Sequence, residues 1–535
     1  MSFRKNEVQQ MTFSDTMFGL TPREQKALKN SWAQVFSDEV FPSIDESRFE
    51  VLYSDKASRP NTPVNVIIGA LILKELFDKS DDELVEDILL DPRFQLALHT
   101  TSFEEQPVSD KTFTRFRERC YHYERLHGVD LYHDCVTDLA SKTAKLMKID
   151  GRIRRMDSMM IEANIRTLSR MELLYRCISK LVSYLHKNGF DDRIESLEHY
   201  YDPNDFNQVI YHSRSTDYEE RIRILLDDAD KLIENCGGLF PDLTEYQLLV
   251  RCLSDQTLVE DGKRRLKTKN DEAMSSDALQ NPSDPDATYR EKAGKKHRGY
   301  VANVEESVGE NGSVVTEYQF ETNNTSDSAM LKEHLENMER QEDPTIVATD
   351  GAYAGEENSR LAEEKNITLV TTNLPGKDAP EIYSQFELNK EETRVLKCPA
   401  GNTPKSASYI RQSGTCTASF ERNVCENCPL RDQCKPQFFK RVAKVRVTGK
   451  QIRRARQMQW MKSEEFKLFA RLRNGVETIP SILKNRYGAN QMNVRGKLRC
   501  KFFFGSKVAA LNFRKLFRYR KGLGNYAPNP LLSTR

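Results

Sequence analysis

The sequence predicts a multi-domain α+β protein, with a helical N-terminal domain, a mixed sheet flanked by helices, and a cysteine-rich insertion ahead of a last helical stretch. Three observations predict it. At 535 residues the chain exceeds one simple core, so roughly two to four domains are expected. Apolar residues recur at helical spacing in the first part and give way after Lys148 to apolar runs bounded by turn residues. Cysteines, scattered elsewhere, gather near residue 425.

The helical pattern runs from Thr21 to about Met147, clearest in VNVIIGALILKELF from Val64 and ELVEDILL from Glu83. Within it SDKTFTRFRERC opens on Ser109 and Asp110, residues suited to capping a helix, and continues with Arg115, Arg117 and Arg119. A capped basic helix suits DNA recognition, with Arg115 and Arg117 as contacts, although an ordinary surface helix reads the same way. Next, IDGRIRRMDSMMIEANI reads as a short strand ending in a turn, with Asp157 towards its carboxyl end. Residues 168–267 read as a helical insertion and Thr268 to Pro285 as a linker. HRGYVANVEES and SVVTEYQFE, around the turn GENGS, predict a hairpin. TIVATDGAYAG predicts a strand ending at Asp350, and the helix EENSRLAEEK and strand ITLVTTN complete a βαβ unit. The expected domains are 1–147; 148–397 with 464–535; and the cysteine-rich, basic 398–463.

Composition narrows the function. Hydrophobic residues make up 38% and charged residues 30%, and no run approaches bilayer-spanning length, so a membrane span is not expected. MSFRKNEVQQMTFSD lacks an apolar run and a small-residue cleavage site, and most of the eleven cysteines stand alone, so a cytoplasmic protein with reduced thiols is expected. The net charge of +1 conceals a segregation. Gln433 to Arg535 holds 26 Lys and Arg against three acids, while Met1 to Asp432 holds 55 against 77. After Glu477 no acid occurs, and phenylalanines interleave the cations. That pattern predicts a polyanion-binding segment, one that folds only when DNA neutralises it; a solvated basic face is the alternative.

Asp157 and Asp350 each sit on an apolar strand, a position at which a carboxylate can bind a hard divalent cation, although turns favour Asp for backbone reasons alone. In FARLRNGVETIPSILKNRYG, Arg473 precedes Glu477 by four and Lys484 follows by seven, which on one helix puts all three on a shared face. An Arg473–Glu477 surface ion pair would look the same.

This Arg-x3-Glu-x6-Lys spacing resembles the signature around the third acid of bacterial insertion-sequence transposases of the DDE class. MDSMMIEANI and ATDGAYAGEEN are similar to their first-Asp and second-Asp strands. The segment from Pro63 to Cys120 resembles their helical N-terminal domain, DPDATYREKAGKKHRGY their second-strand entry, and VRGKLRC with Asn512 their region after the Glu. The resemblance implies a ribonuclease H-like core in which Asp157, Asp350 and Glu477 hold two Mg2+ (or Mn2+) ions. It also implies Arg473, Lys484 and Arg495 on DNA phosphates, with double-stranded DNA, as terminal inverted repeats and target, for the substrate. A bacterial, nucleoid-associated location follows from it, and catalysis on paired ends is compatible with a homodimer. The chain departs from the pattern at Ala470, where relatives often carry Tyr, and Gly475 and Pro480 oppose a long helix through Glu477. A nuclease of the same fold, or a non-catalytic DNA-binding derivative, are the competing readings.

Cys398, Cys425, Cys428 and Cys434 have the number and softness for a structural Zn2+, with Cys416 as an alternative fourth ligand; unligated thiols or a redox pair are the other readings. No G-x4-G-K-[ST] loop is present, so no ATP requirement is expected.

Overall fold

Capping and apolar periodicity fix the first helices. In the computed structural model, which describes residues 1–6, 14–56, 58–211, 218–292, 294–371, 378–472 and 475–523, these are α1 (Val64–Phe77), α2 (Asp81–Leu90), α3 (Asp110–His127) and α4 (Leu131–Leu146). α1 is apolar on nearly every side and is buried from Val64 to Leu73 apart from Asn65. Ser80 and Ser109 close capping boxes on α2 and α3, and Asp130 caps α4. Strand β1 (Ile153–Glu162) follows. It is longer than the sequence pattern suggested and leaves Asp157 in mid-strand, between Met156, buried in one core, and Met159 and Ile161, buried in another.

The helical insertion contains α5 (Arg170–Lys187), α6 (Tyr218–Cys236) and α7 (Thr244–Gln256), and ends in an unforeseen hairpin pairing Thr257–Glu260 with Lys263–Leu266. Then come β2 (Thr288–Lys292), β3 (Lys295–Gly309), β4 (Gly312–Thr322), α8 (Asp327–Asn337), β5 (Thr345–Thr349), α9 (Glu356–Glu364) and β6 (Ile367–Thr371). The cysteine-rich stretch supplies β7 (Ser406–Ile410), β8 (Thr415–Glu421), β9 (Val442–Thr448) and α10 (Gly449–Trp460). The chain continues as α11 (Glu464–Leu472), α12 (Thr478–Tyr487) and α13 (Lys497–Arg520). Strands pair in both senses, so the architecture is α+β as expected, with the hairpin and the βαβ unit where the sequence put them.

The chain divides into two units. One comprises Met1–Gly151, Ser158–Ser326 and Thr478–Arg535; the other comprises Arg152–Asp157 and Asp327–Glu477. Residues 464–535, which the sequence reading kept together, therefore part at Glu477.

In the first unit β2, β3 and β4 form an antiparallel meander. The far end of β1 lies against β3: Glu162 accepts from the Arg298 N–H and meets the His297 ring at 2.6 Å, while Ala163 N–H donates to the Arg298 carbonyl. Gly299 makes this approach feasible, since a Cβ there would collide with the backbone of Ile161 to Ala163. The helical insertion has a separate core, built on Leu174, Ile178, Leu181, Leu226 and Leu249.

Helix α13 corrects the reading of the basic C-terminus. Its Phe502, Phe504, Phe513 and Phe517 are buried in the core shared by α1, α4 and β4, and Phe502 stacks on Tyr132 with ring centroids 3.7 Å apart. Its cations meet acids from earlier in the chain. Lys497 pairs with Glu321, Arg499 with Glu118, Lys501 with Glu124 and Asp130, Lys507 with Glu75, Lys515 with Glu306, and Arg520 with Glu39. Six cations of α13 thus meet acids within the first unit.

The second unit holds the parallel strands. Ile153 to Arg155 of β1 pair with Ile346 to Ala348 of β5, and β5 pairs along its length with β6. Met156, Leu331, Val347, Tyr353 and Leu369 form its core. The cysteine-rich stretch has a smaller one around Phe386, Phe420, Val445 and Ile452.

Candidate active site

The strands that carry two of the sequence-predicted acids are neighbours. Ile346 N–H donates to the Arg152 carbonyl at 2.8 Å, and the parallel pairs Ile153–Ile346, Arg154–Val347 and Arg155–Ala348 follow. The pairing ends there, two residues before Asp157 on one strand and Asp350 on the other. Met156, one residue before Asp157, points the opposite way from it, into the core.

The turn after β5 holds Asp350 in place. Its Oδ1 accepts from the Ala352 N–H at 2.8 Å, capping the short helical turn Gly351–Tyr353. Tyr353 is fully buried, and Asn358 donates to the Tyr353 carbonyl at 2.9 Å and to Ser328 at 3.0 Å. The Tyr in GAYAGEEN is therefore an anchor of the loop and not a reacting group.

Glu477 lies in a turn. Helix α11 ends at Leu472 and α12 starts at Thr478, immediately after Glu477. Pro480 falls in the first turn of α12, where its missing N–H costs nothing. Arg473 lies outside the described residues. Glu477 is exposed, while Val476 before it is 5% exposed and anchors the turn. A Cβ built on Gly475 would overlap the Arg155 guanidinium. Arg155 stands two residues before Asp157 and so on the same strand face. Through this contact the turn carrying Glu477 is laid against the strand carrying Asp157. Neither Arg155 nor the role of Gly475 was foreseen; the arginine pair just before Asp157 is the signal in the sequence. Among the described residues, no three acidic, histidine or cysteine side chains converge closely enough to hold a metal ion as they stand.

The predicted DNA contacts differ in availability. Arg115 is exposed on α3. Arg117, by contrast, is buried, with its guanidinium bidentate on Asp81 at 2.7 and 2.9 Å and stacked over Phe503. That correction follows from helix periodicity, because Arg117 falls beside Phe113 and Phe116 on the inward face. Lys484 is half-buried in the last turn of α12, and exposed Arg495 donates to the Asn164 carbonyl at 2.7 Å.

The four cysteines of the insertion border a common cavity, without standing close enough to hold an ion as they are. Cys398, Cys425, Cys428 and Cys434 line one cavity of about 20 Å³, closed by Phe420, Leu430 and Val445. Burial, together with neighbouring Cys398, Cys425 and Cys428, pushes the Cys434 thiol up to about 11, and burial with Cys398 and Cys428 raises Cys425. Cys416 is elsewhere: it is wholly buried on β8, and its Sγ lies 3.2 Å from the Glu392 carbonyl.

Residues 397–517 match the family described as Transposase DDE domain, and residues 24–119 match the one described as Transposase domain (DUF772). The first stretch contains the four cysteines, Glu477, Lys484 and Arg495; the second contains Arg115 and Arg117. No curated protein and no solved structure matches the chain. Two transposase-domain models thus match in succession along one chain.

Proposed function

We propose that this protein is a metal-dependent DNA transposase that cleaves at the ends of its element and joins them to target DNA. What supports the reading is the parallel pairing of Ile153–Arg155 with Ile346–Ala348, a register that, continued by two residues, would bring Asp157 and Asp350 side by side, together with the Arg155–Gly475 contact that lays the Glu477 turn against the same strand. Three carboxylates are the oxygen donors that Mg2+ or Mn2+ prefers, and Asp157, Asp350 and Glu477 would hold the ions. When bound, two such ions activate a water or a 3′ hydroxyl and stabilise the departing oxygen.

The chain's own groups do the rest. The Ala352 N–H fixes one oxygen of Asp350 and leaves the other for a ligand. Gly475 lets the Glu477 turn approach without a side chain in the way. Lys484, Arg495 and Arg473 supply positive charge for phosphates near the cut end, and exposed Arg115 does so for flanking duplex. Arg117 is left out of this set, because Asp81 occupies it. Terminal inverted repeats and target DNA are the substrates, two protomers act on paired ends, and the nucleoid is the site of action.

The test is excision in cells of a marker flanked by the DNA that borders this gene, with the intact protein, Asp350→Ala and Glu477→Ala compared. Excision and reinsertion by the intact protein alone supports a carboxylate-dependent transposase. Cut ends that never rejoin would indicate a nuclease, and binding to those ends without cutting would indicate a DNA-binding derivative.

A further inference from the structure

The part of the cysteine-rich stretch that carries Cys425, Cys428 and Cys434 lies outside its paired strands. Its helical pieces, Arg422–Glu426 and Arg431–Cys434, are five and four residues long, far below the length at which a helix persists alone. Its core has eight buried side chains, the other contributors being Val395, Cys416, Ala418 and Val447. Small cores of this size ordinarily need a crosslink or a metal. None of the cysteines is in a disulfide.

The four thiols reach one cavity from three separate places. Cys398 opens a tight turn in which its carbonyl accepts from the Gly401 N–H at 2.8 Å and its N–H donates to the Asn402 carbonyl at 3.0 Å. Gly401 takes the left-handed φ of 77° that this turn requires. Cys425 and Cys428 flank the end of the short helix, joined by a long 3.5 Å bond from the Cys428 N–H to the Cys425 carbonyl. Cys434 ends the second short helix, and Lys435 then turns the chain with a left-handed φ of 48°. If the thiols served only as apolar filling, side chains would close over the centre, because protein interiors leave few holes of atomic size. Here a hole of about 20 Å³ remains, enough for one atom-sized occupant and lined by all four cysteines, which would have to draw in from their present positions to hold an ion.

We propose that Cys398, Cys425, Cys428 and Cys434 form a structural Zn2+ site that staples the cysteine-rich stretch, and that Cys416 is excluded from it. Thiolates are soft, four of them saturate a tetrahedral ion, and nothing is left open for a substrate. Binding releases the thiol protons to solvent and removes the mutual repulsion by the ion's charge. The site is independent of the carboxylates proposed for DNA cleavage.

The experiment uses the full-length protein purified without chelator. Elemental analysis should find about one zinc per chain, kept by Cys416→Ser and lost from Cys425→Ser and Cys434→Ser. Because those two variants can misfold, the intact protein is also titrated with an organomercurial, which should release zinc in step with modification of four thiols. Replacement by Co2+ should give a thiolate-to-cobalt charge-transfer band, which carboxylates do not produce. Iron in place of zinc, less than about a tenth of an equivalent of zinc, loss of zinc from Cys416→Ser, or absence of the thiolate band would each overturn the assignment.

Discussion

The carboxamide of Asn512 takes both backbone polar groups of Val315, accepting from its N–H at 2.9 Å and donating to its carbonyl at 2.8 Å. Val315 stands where the β3–β4 ladder slips, between the pairs Glu305–Glu317 and Glu306–Val315. A side chain from α13 thus completes the strand and fixes the helix on it. Asn512→Ala leaves a buried N–H and a buried carbonyl without partners, each worth about 1–3 kcal/mol. Urea unfolding should show a loss of that order. Asn512→Asp should be at least as damaging, since a carboxylate can accept from Val315 but would face its carbonyl. Equal stability in Asn512→Ala would refute the clamp.

Arg115 and Arg117 should separate cleanly. Arg117 is nearly buried and bidentate on Asp81, which Lys74 also pairs. Arg117→Ala leaves Asp81 to Lys74 alone and removes two charge-assisted hydrogen bonds, so it should cost about 1–3 kcal/mol. Arg115→Ala should leave the melting temperature alone and weaken duplex binding, lowering the salt slope by about one. Burial pushes the Asp81 carboxyl up, but hydrogen bonds and charge from Arg117 and Lys74 outweigh it and hold it at about 2. A depressed carboxyl stabilises the fold above its unfolded value of 3.8 and stops doing so as pH falls towards 2. Acid unfolding of Asp81→Asn should therefore lose that part of the pH dependence.

How much of this was legible follows from what each signal depends on. The strand carrying Asp350 and the helix after it rest on local alternation, which the sequence displays, and both were foreseen. The pairing of the Asp157 strand with the Asp350 strand rests on register between segments nearly two hundred residues apart, which no local pattern encodes. Counting charge along the chain cannot see Glu75, Glu118 or Glu306, which pair with cations of α13 in space. Gly475 and Pro480 opposed a long helix through Glu477, and a helix does start directly after Glu477, at Thr478. The grouping of the cysteines was suggested by spacing, but the choice of Cys398 over Cys416 needed burial: Cys416 faces the core of β8 and β9.

His133 should make the first unit sensitive to alkali. Burial disfavours its charged form, but hydrogen bonds to Asp134 and Glu317, the latter at 2.7 Å, outweigh this and raise it to about 10. A histidine raised above its unfolded value of 6.5 contributes fully below that pH and loses its contribution as pH rises towards 10. The urea midpoint of the intact protein should fall between these limits, and that of His133→Gln should fall less. Parallel curves for the two proteins would exclude His133 as the cause.

Gly475 and Arg155 offer the sharpest test of the candidate active site. In Gly475→Ala the new methyl meets the Arg155 guanidinium, the far end of a flexible side chain, so the fold should survive while the Glu477 turn shifts. Misplacing a catalytic group by about 1 Å can cost on the order of a hundredfold in rate. Strand cleavage by Gly475→Ala should accordingly drop by roughly ten- to a hundredfold with an unchanged melting temperature. Arg155→Ala removes the obstacle, and the double variant should recover most of what Gly475→Ala lost relative to Arg155→Ala alone. That coupling is expected only of neighbours, since effects at distant sites add. If the two substitutions simply multiply their losses, the turn bearing Glu477 does not depend on this contact, and the link between Glu477 and the Asp157 strand must be sought elsewhere.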